Sequence, residues 1–295
     1  MTRIQLSPRT RAIAVCLFCV CILVPMNMGG CATDAVQGVG QVGSLTGKPV
    51  PLPAGSSQYA QAAEKAVNAW TLGEAEEDGM GQAVAVAVTN KYPLVNDPEL
   101  TRYVTLVGLT VASATSRPDG NYVFGVVESA DVNAFAGPNG YIMVTRGALS
   151  QMHDEAELAG VLAHEIAHVV NHDGLNAVRQ AGMVDAGTTA AKAADSRVNM
   201  FGKWTDATID VVLKKGYSKD QELSADRAAV RFVTLAGYDP HSYLSFIKRQ
   251  SSAGAGSPMS THPGLSQRVG AIQSQIGATT GGATLKARFD KSVKR

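Results

Sequence analysis

One stretch of helix constrains this chain more than any other feature. Residues 154–171 carry Leu158, Val161, Leu162 and Val169 at helical spacing, and the same stretch holds His164-Glu165-Ile166-Ala167-His168. On an α-helix, positions i and i+4 share a face one turn apart, so both imidazoles can reach one metal ion through Nε2. Glu165 lies about 100° round the helix from His164, beside such an ion and outside its coordination. A carboxylate placed there can accept a proton from water. The plain alternative is two histidines that happen to bracket a glutamate. That reading buries an acid on an apolar helix face, which is unfavourable unless a metal is present to compensate.

The rest of the chain limits the donors such a metal can have. The four cysteines are Cys16, Cys19, Cys21 and Cys31, so no thiolate or disulfide is available beyond residue 31. His172 follows His168 by one turn but stands about 12 Å along the axis from His164, too far for one ion to bind all three. A metzincin would need glycine at position 171 and histidine at position 174, and the chain has Asn171 and Gly174. A third ligand is better sought at 218–226. Ser218 and Gln221 have capping-box spacing, so a helix starts there, with Glu222 and Asp226 on one face. Taken alone, the two acids read as a solvated face paired with Lys219 and Arg227. Beside the first helix, Glu222 reads as the third ligand, and Asp226 as the acid that hydrogen-bonds the far nitrogen of a ligating histidine.

The amino terminus reads as an address. Arg3, Arg9 and Arg11 precede an apolar run at 12–24 that is too short to span a bilayer, followed by Pro25 and Gly29-Gly30. That order is a secretory signal peptide. Met28-Gly29-Gly30-Cys31 resembles a bacterial lipobox, which implies a lipid-modified Cys31, and Ala32 in place of aspartate implies sorting to the outer membrane. Loss of 1–30 removes three arginines and no acid, turning the net charge of +1 into −2. Neither value offers the basic excess that nucleic-acid binding needs. Residues 31–57 are rich in Gly, Val and Pro and read as a flexible tether. The string Gly38-x-Gly40-x-x-Gly43 within it has no strand before it and no helix after it, so it fails as a dinucleotide site.

Residues 58–276 read as one α+β domain and 277–295 as a flexible tail. Helical patterns cover 59–78 and 82–91, and Asp97-Pro98-Glu99 opens another helix on which Leu100, Tyr103, Val104, Val107 and Val111 share a face. Strands are expected at 122–127, 133–136 and 141–145, with a Gly137-Pro138-Asn139-Gly140 turn between the last two. Further helices are expected at 218–236, 241–249 and 266–276.

The combination of Asn133-Ala134-Phe135-Ala136, the His164–His168 motif, and Glu222 with Asp226 resembles the gluzincin metallopeptidases. It is similar to the branch containing HtpX, the CAAX prenyl proteases and the bacterial periplasmic lipoproteases, over about 72–276. The resemblance implies a zincin-like fold, mainly helical, with a small, mostly antiparallel sheet beside the active-site helix. It implies one zinc ion per chain on His164, His168 and Glu222, with Glu165 as catalytic base. Ser260-Thr261-His262-Pro263 and Arg268 look like the family's C-terminal element. On that likeness His262 stabilises the oxyanion or caps the metal, and Arg268 orients substrate or braces the site. Two departures limit the transfer, since no long apolar helix follows the leader and no helical-repeat domain follows the peptidase pattern.

The function expected is a zinc metalloendopeptidase, lipid-anchored at Cys31 and facing the periplasm, that degrades unfolded or misfolded envelope polypeptides. The edge formed by Asn133, Ala134, Phe135 and Ala136 is expected to pair with an extended substrate. A competing expectation is a zinc-stabilised lipoprotein that holds envelope proteins without cutting them. Glu165 speaks against it, because a purely structural zinc has no use for a base there.

Overall fold

Residues 74–177, 197–252 and 264–293 are described by a computed structural model of the chain. The expected leader and tether, Cys31 and His262 all lie outside these residues.

Helix α1 is Glu74–Lys91, with Glu74, Glu76 and Glu77 in the first turn at the positive end of its dipole. It runs unbroken through Gly81, where a Cβ would lie 2.1 Å from the Pro138 carbonyl oxygen, so only glycine permits this approach. Helix α2, Pro98–Ala112, starts as expected, with the Asp97 carboxylate accepting from Leu100 N–H at 3.0 Å. Leu100, Val104, Val107 and Val111 are buried on its inner face.

Three short strands follow: β1 Val123–Val127, β2 Ala134–Gly137 and β3 Tyr141–Thr145. Between the last two the chain reverses at Pro138–Gly140, with Asn139 left-handed at φ 56°. This turn pairs β2 with β3 antiparallel, Ala134 opposite Val144 and Gly137 opposite Tyr141. β3 then inserts between β2 and β1, giving the order β1-β3-β2. β1 runs against β2, so its pairing with β3 is parallel, Val123 opposite Tyr141. The α+β, zincin-like class holds. The sheet is an even mixture of one parallel and one antiparallel pairing, where a mostly antiparallel one was expected.

After a short helix α3, Arg146–Gln151, the chain enters α4, Glu155–Val170. Asp154 caps it by accepting from Glu157 N–H at 2.9 Å, and Glu155 to Val169 are all buried. α4 is the centre of the domain, packed against α2, β2, α6 (Lys219–Leu235) and α7 (Pro240–Ser252). A Cβ at Gly160 would stand 2.5 Å from Tyr243 Cβ, so this glycine lets α7 lie close against α4. Between α4 and α6 come α5, Arg197–Asp210, and a π turn at Val211–Lys215, neither of which was foreseen. The Ser218–Gln221 capping box at the head of α6 is present in both directions.

Helix α8 is Leu265–Ile276. The residues expected to form a flexible tail contain a helix, α9, Lys286–Ser292, with Phe289 fully buried. Arg288 grips Glu155, the first residue of α4, while the Tyr103 and Tyr238 hydroxyls donate to the same carboxylate at 3.0 and 2.8 Å. A buried phenylalanine and a shared buried acid hold this end against the metal helix. Among the described residues no helix is long and apolar enough to cross a membrane.

Candidate metal centre

The helical spacing of α4 puts His164 and His168 side by side with their rings at 88° and their Nε2 atoms 3.2 Å apart. α6 crosses α4 and brings in Glu222, with one carboxylate oxygen 3.4 Å from His164 Nε2 and the other 3.7 Å from His168 Nε2. All three side chains are buried, and one donor atom from each lies within 4.8 Å of the others. Two ligand bonds of about 2.0–2.1 Å at a tetrahedral angle separate their donors by about 3.4 Å, so the observed spacing fits zinc. Two imidazoles and a carboxylate with no thiolate are the donor set of catalytic zinc sites, in which a fourth position is left for water or substrate.

Each histidine is fixed by a carboxylate on its far nitrogen. Asp226 Oδ1 is 3.0 Å from His164 Nδ1, and Asp173 Oδ2 is 2.7 Å from His168 Nδ1. A carboxylate accepts only, so both rings carry their proton on Nδ1 and turn Nε2 toward the metal position. Asp226 is itself held by Arg268, whose Nε and Nη2 each donate at 2.8 Å, and by the Tyr243 hydroxyl at 2.7 Å. Burial alone would raise the Asp226 carboxyl, but the Arg268 charge and the hydrogen bonds from His164 and Arg268 outweigh it and hold it well below the usual range. The same network pushes Arg268 further up, against burial, through the charges of Asp226 and Glu222.

The structure therefore brings together His164, His168, Glu222, Glu165, Asp226 and Arg268. Of the two roles expected for Arg268 among the catalytic residues, orienting substrate or bracing the site, the geometry favours the second: the residue is 1% exposed and bonded to Asp226, Tyr243 and, at 3.5 Å, Glu222. It braces the ligands and presents no surface to a substrate. Glu165 is buried and lines a small cavity with Ala134, Phe135, Ala136, Val211, Val212, Gly216 and Tyr217. The expected substrate strand thus borders the candidate base. Asn133 caps it, its side-chain oxygen accepting from Ala134 N–H at 3.0 Å.

Two neighbours of the metal position carried no sequence signal. Asp173 is one. Tyr217 is the other: its ring stacks on His168, centroids 4.2 Å apart, and its hydroxyl donates to the Ala136 carbonyl at 3.5 Å. Burial first, then the charge of Glu165, keeps this phenol protonated well above its ordinary range. His172 sits outside the metal position, its Nδ1 3.1 Å from Glu77 of α1.

A helix bearing H-E-x-x-H, completed by a glutamate from a second helix, defines the gluzincin class of metallopeptidases. Residues 98–276 match the sequence profile of peptidase family M48, and the chain belongs to that family. It is 24% identical over 186 residues to the beta-barrel assembly-enhancing protease of Escherichia coli K12, covering 61% of this chain and 38% of that protein. It is 29% identical over 163 residues to the bovine mitochondrial metalloendopeptidase OMA1, covering 50% of this chain and 31% of that one. A protease HtpX homolog of Fusobacterium nucleatum is 29% identical over 199 residues, 50% of this chain and 61% of its own length. The chain thus spans well under half the length of the first two relatives.

Proposed function

We propose that this chain is a zinc metalloendopeptidase that cleaves unfolded or misassembled proteins of the bacterial cell envelope. The observation that carries the reading is the buried His164, His168 and Glu222 cluster, with Glu165 opening onto a cavity walled by the β2 edge. Zinc held by the three ligands would polarise a peptide carbonyl and make water acidic enough to ionise near neutral pH. Glu165 takes the proton of the attacking water and later delivers it to the leaving amine. Asp226 and Asp173 keep the imidazoles in the ligating tautomer, and Arg268 with Tyr243 keeps Asp226 in place. An extended segment pairing with β2 is read by its backbone, which suits unfolded chains of varied sequence.

The compartment follows from the leader. Residues 1–30 serve as a lipoprotein signal, Cys31 carries the lipid, and the domain hangs from the outer membrane into the periplasm. The name of the Escherichia coli relative, beta-barrel assembly-enhancing protease, supports envelope proteins as the substrate class. The test is digestion of unfolded casein by zinc-loaded wild type and by Glu165→Gln. Wild-type cleavage with an inert variant of unchanged zinc content is expected. Equal cleavage by the variant, or none by wild type, returns the protein to a binding role.

A further inference from the structure

Strand β2 has one edge on β3 and the other toward the candidate metal centre. The bond from Thr145 N–H to the Asn133 carbonyl, 3.0 Å, sets the alternation of the ladder. Ala134 and Ala136 consequently turn their N–H and C=O groups away from β3. These are the groups an extended substrate would pair with, and the chain already uses two of them. Asn133 Oδ1 accepts from Ala134 N–H, and the Tyr217 hydroxyl donates to the Ala136 carbonyl. At 3.5 Å the second bond is long, and a peptide N–H can better it at about 2.9 Å. Substrate pairing therefore competes with the Tyr217 hydroxyl for the Ala136 carbonyl, beside the metal ligand on which the Tyr217 ring is stacked. Gly216, at φ 73°, joins Tyr217 to the Val211–Lys215 turn.

We infer that Tyr217 is a catalytic residue whose hydroxyl, released from Ala136 by substrate pairing, donates to the scissile carbonyl oxygen as negative charge gathers there. The inference rests on the peptidase reading above. The water oxygen bonds to the carbonyl carbon while its proton passes to Glu165, and the π pair moves onto the carbonyl oxygen. The Tyr217 O–H hydrogen-bonds that oxygen and keeps its own proton throughout. When the pair returns, the carbon–nitrogen bond breaks and the amine leaves with the proton from Glu165. A donor aimed at charge that exists only in the transition state raises kcat and leaves substrate binding alone.

The test compares zinc-loaded wild type, Tyr217→Phe and Glu165→Gln on one quenched fluorescent peptide taken from a casein segment that wild type cleaves. The phenylalanine ring keeps the stack on His168 and loses only the hydroxyl. For Tyr217→Phe, kcat is expected to fall about 10²–10³-fold with KM within about twofold, the effect of losing one oxyanion donor. Affinity for a phosphinate analogue of the same peptide, measured by calorimetry without turnover, falls by a comparable factor, and zinc content is unchanged. Wild-type kcat and phosphinate affinity in the variant overturn the inference. Loss of zinc, or a change confined to KM, also overturns it and leaves Tyr217 a packing partner of His168. Cleavage by Glu165→Gln in the same assay is a separate failure, that of the peptidase reading itself.

Discussion

Asp173 Oδ2 lies 2.7 Å from His168 Nδ1, five residues further along the chain and around the end of the same helix. The contact exists because α4 stops at Asn171 and His172 adopts a left-handed φ of 54°, which turns the chain back toward the helix it has just left. Gln221 then donates to the other Asp173 oxygen at 3.1 Å. The end of the helix that supplies two ligands is thereby tied to the first turn of the helix that supplies the third.

Replacing Asp173 with asparagine keeps the shape and removes the charge, and its one amide oxygen can face His168 or Gln221 but not both. Zinc affinity is expected to fall about 10–100-fold, as for other partners of ligating histidines. Competition against a chromophoric chelator measures this, and peptidase activity should return at high zinc. An unchanged dissociation constant would show that Asp173 does not orient His168.

Arg268 offers a sharper contrast between charge and geometry. It reaches Asp226 through two nitrogens and Tyr243 through one of them, a fork that lysine cannot reproduce. Arg268→Ala strands a buried carboxylate and is expected to cost about 3–5 kcal/mol in urea unfolding. Arg268→Lys should recover part of that stability but leave zinc affinity depressed, since Asp226 then drifts from His164. A lysine variant with full stability and full zinc affinity would mean that charge alone suffices.

How much of this was legible beforehand depends on the range of the interaction. His164, Glu165 and His168 announce themselves because an i, i+4 spacing is a local property of one helix. Glu222 and Asp226 could be paired with them because the Ser218 and Gln221 cap fixes where their own helix begins. Asp173 could not, because its position turns on a single left-handed residue, which leaves no periodic trace. Tyr217 is placed by the packing of α6 on α4, a contact across 49 residues of chain. The mostly antiparallel sheet that the family resemblance implied is a mixed one, since no local pattern reveals that β3 inserts between β1 and β2. The tail was misread because seven residues of helix give too little period to stand out from a Gly- and Thr-rich approach.

That tail makes a prediction of its own. Phe289 is fully buried in the main core, and Arg288 meets Glu155 at the head of the metal helix. Phe289→Ala is expected to cost about 3–5 kcal/mol by transfer and cavity terms together. Thermal unfolding with zinc bound is the measurement, and a melting temperature equal to wild type would show that α9 contributes nothing to the fold.

The last prediction concerns the protein without its metal. Burial and the Arg268 charge both oppose a proton on His164, but hydrogen bonds to Asp226 and Glu222, with the Asp226 charge, prevail and hold its pKa up at about 9. His168 goes the other way, lowered by burial and by its charged neighbour His164 despite the Asp173 hydrogen bond. One proton on His164 then stands in for part of the missing metal charge, facing Glu222, Asp226, Arg268, His168 and the Tyr243 hydroxyl. A folded pKa raised above the ordinary 6.5 contributes stability that is complete below pH 6.5 and is lost as pH rises through about 9. Chelator-treated protein should therefore lose stability between pH 7 and pH 10, on the order of 3 kcal/mol if the whole shift is expressed. Zinc-loaded protein has neutral imidazoles throughout that range and should not show this component. Urea midpoints for the two forms across this window decide the matter. Parallel curves would place the proton elsewhere, whereas a gap that widens with pH, together with a smaller loss in chelator-treated Glu222→Gln than in chelator-treated wild type, assigns it to His164.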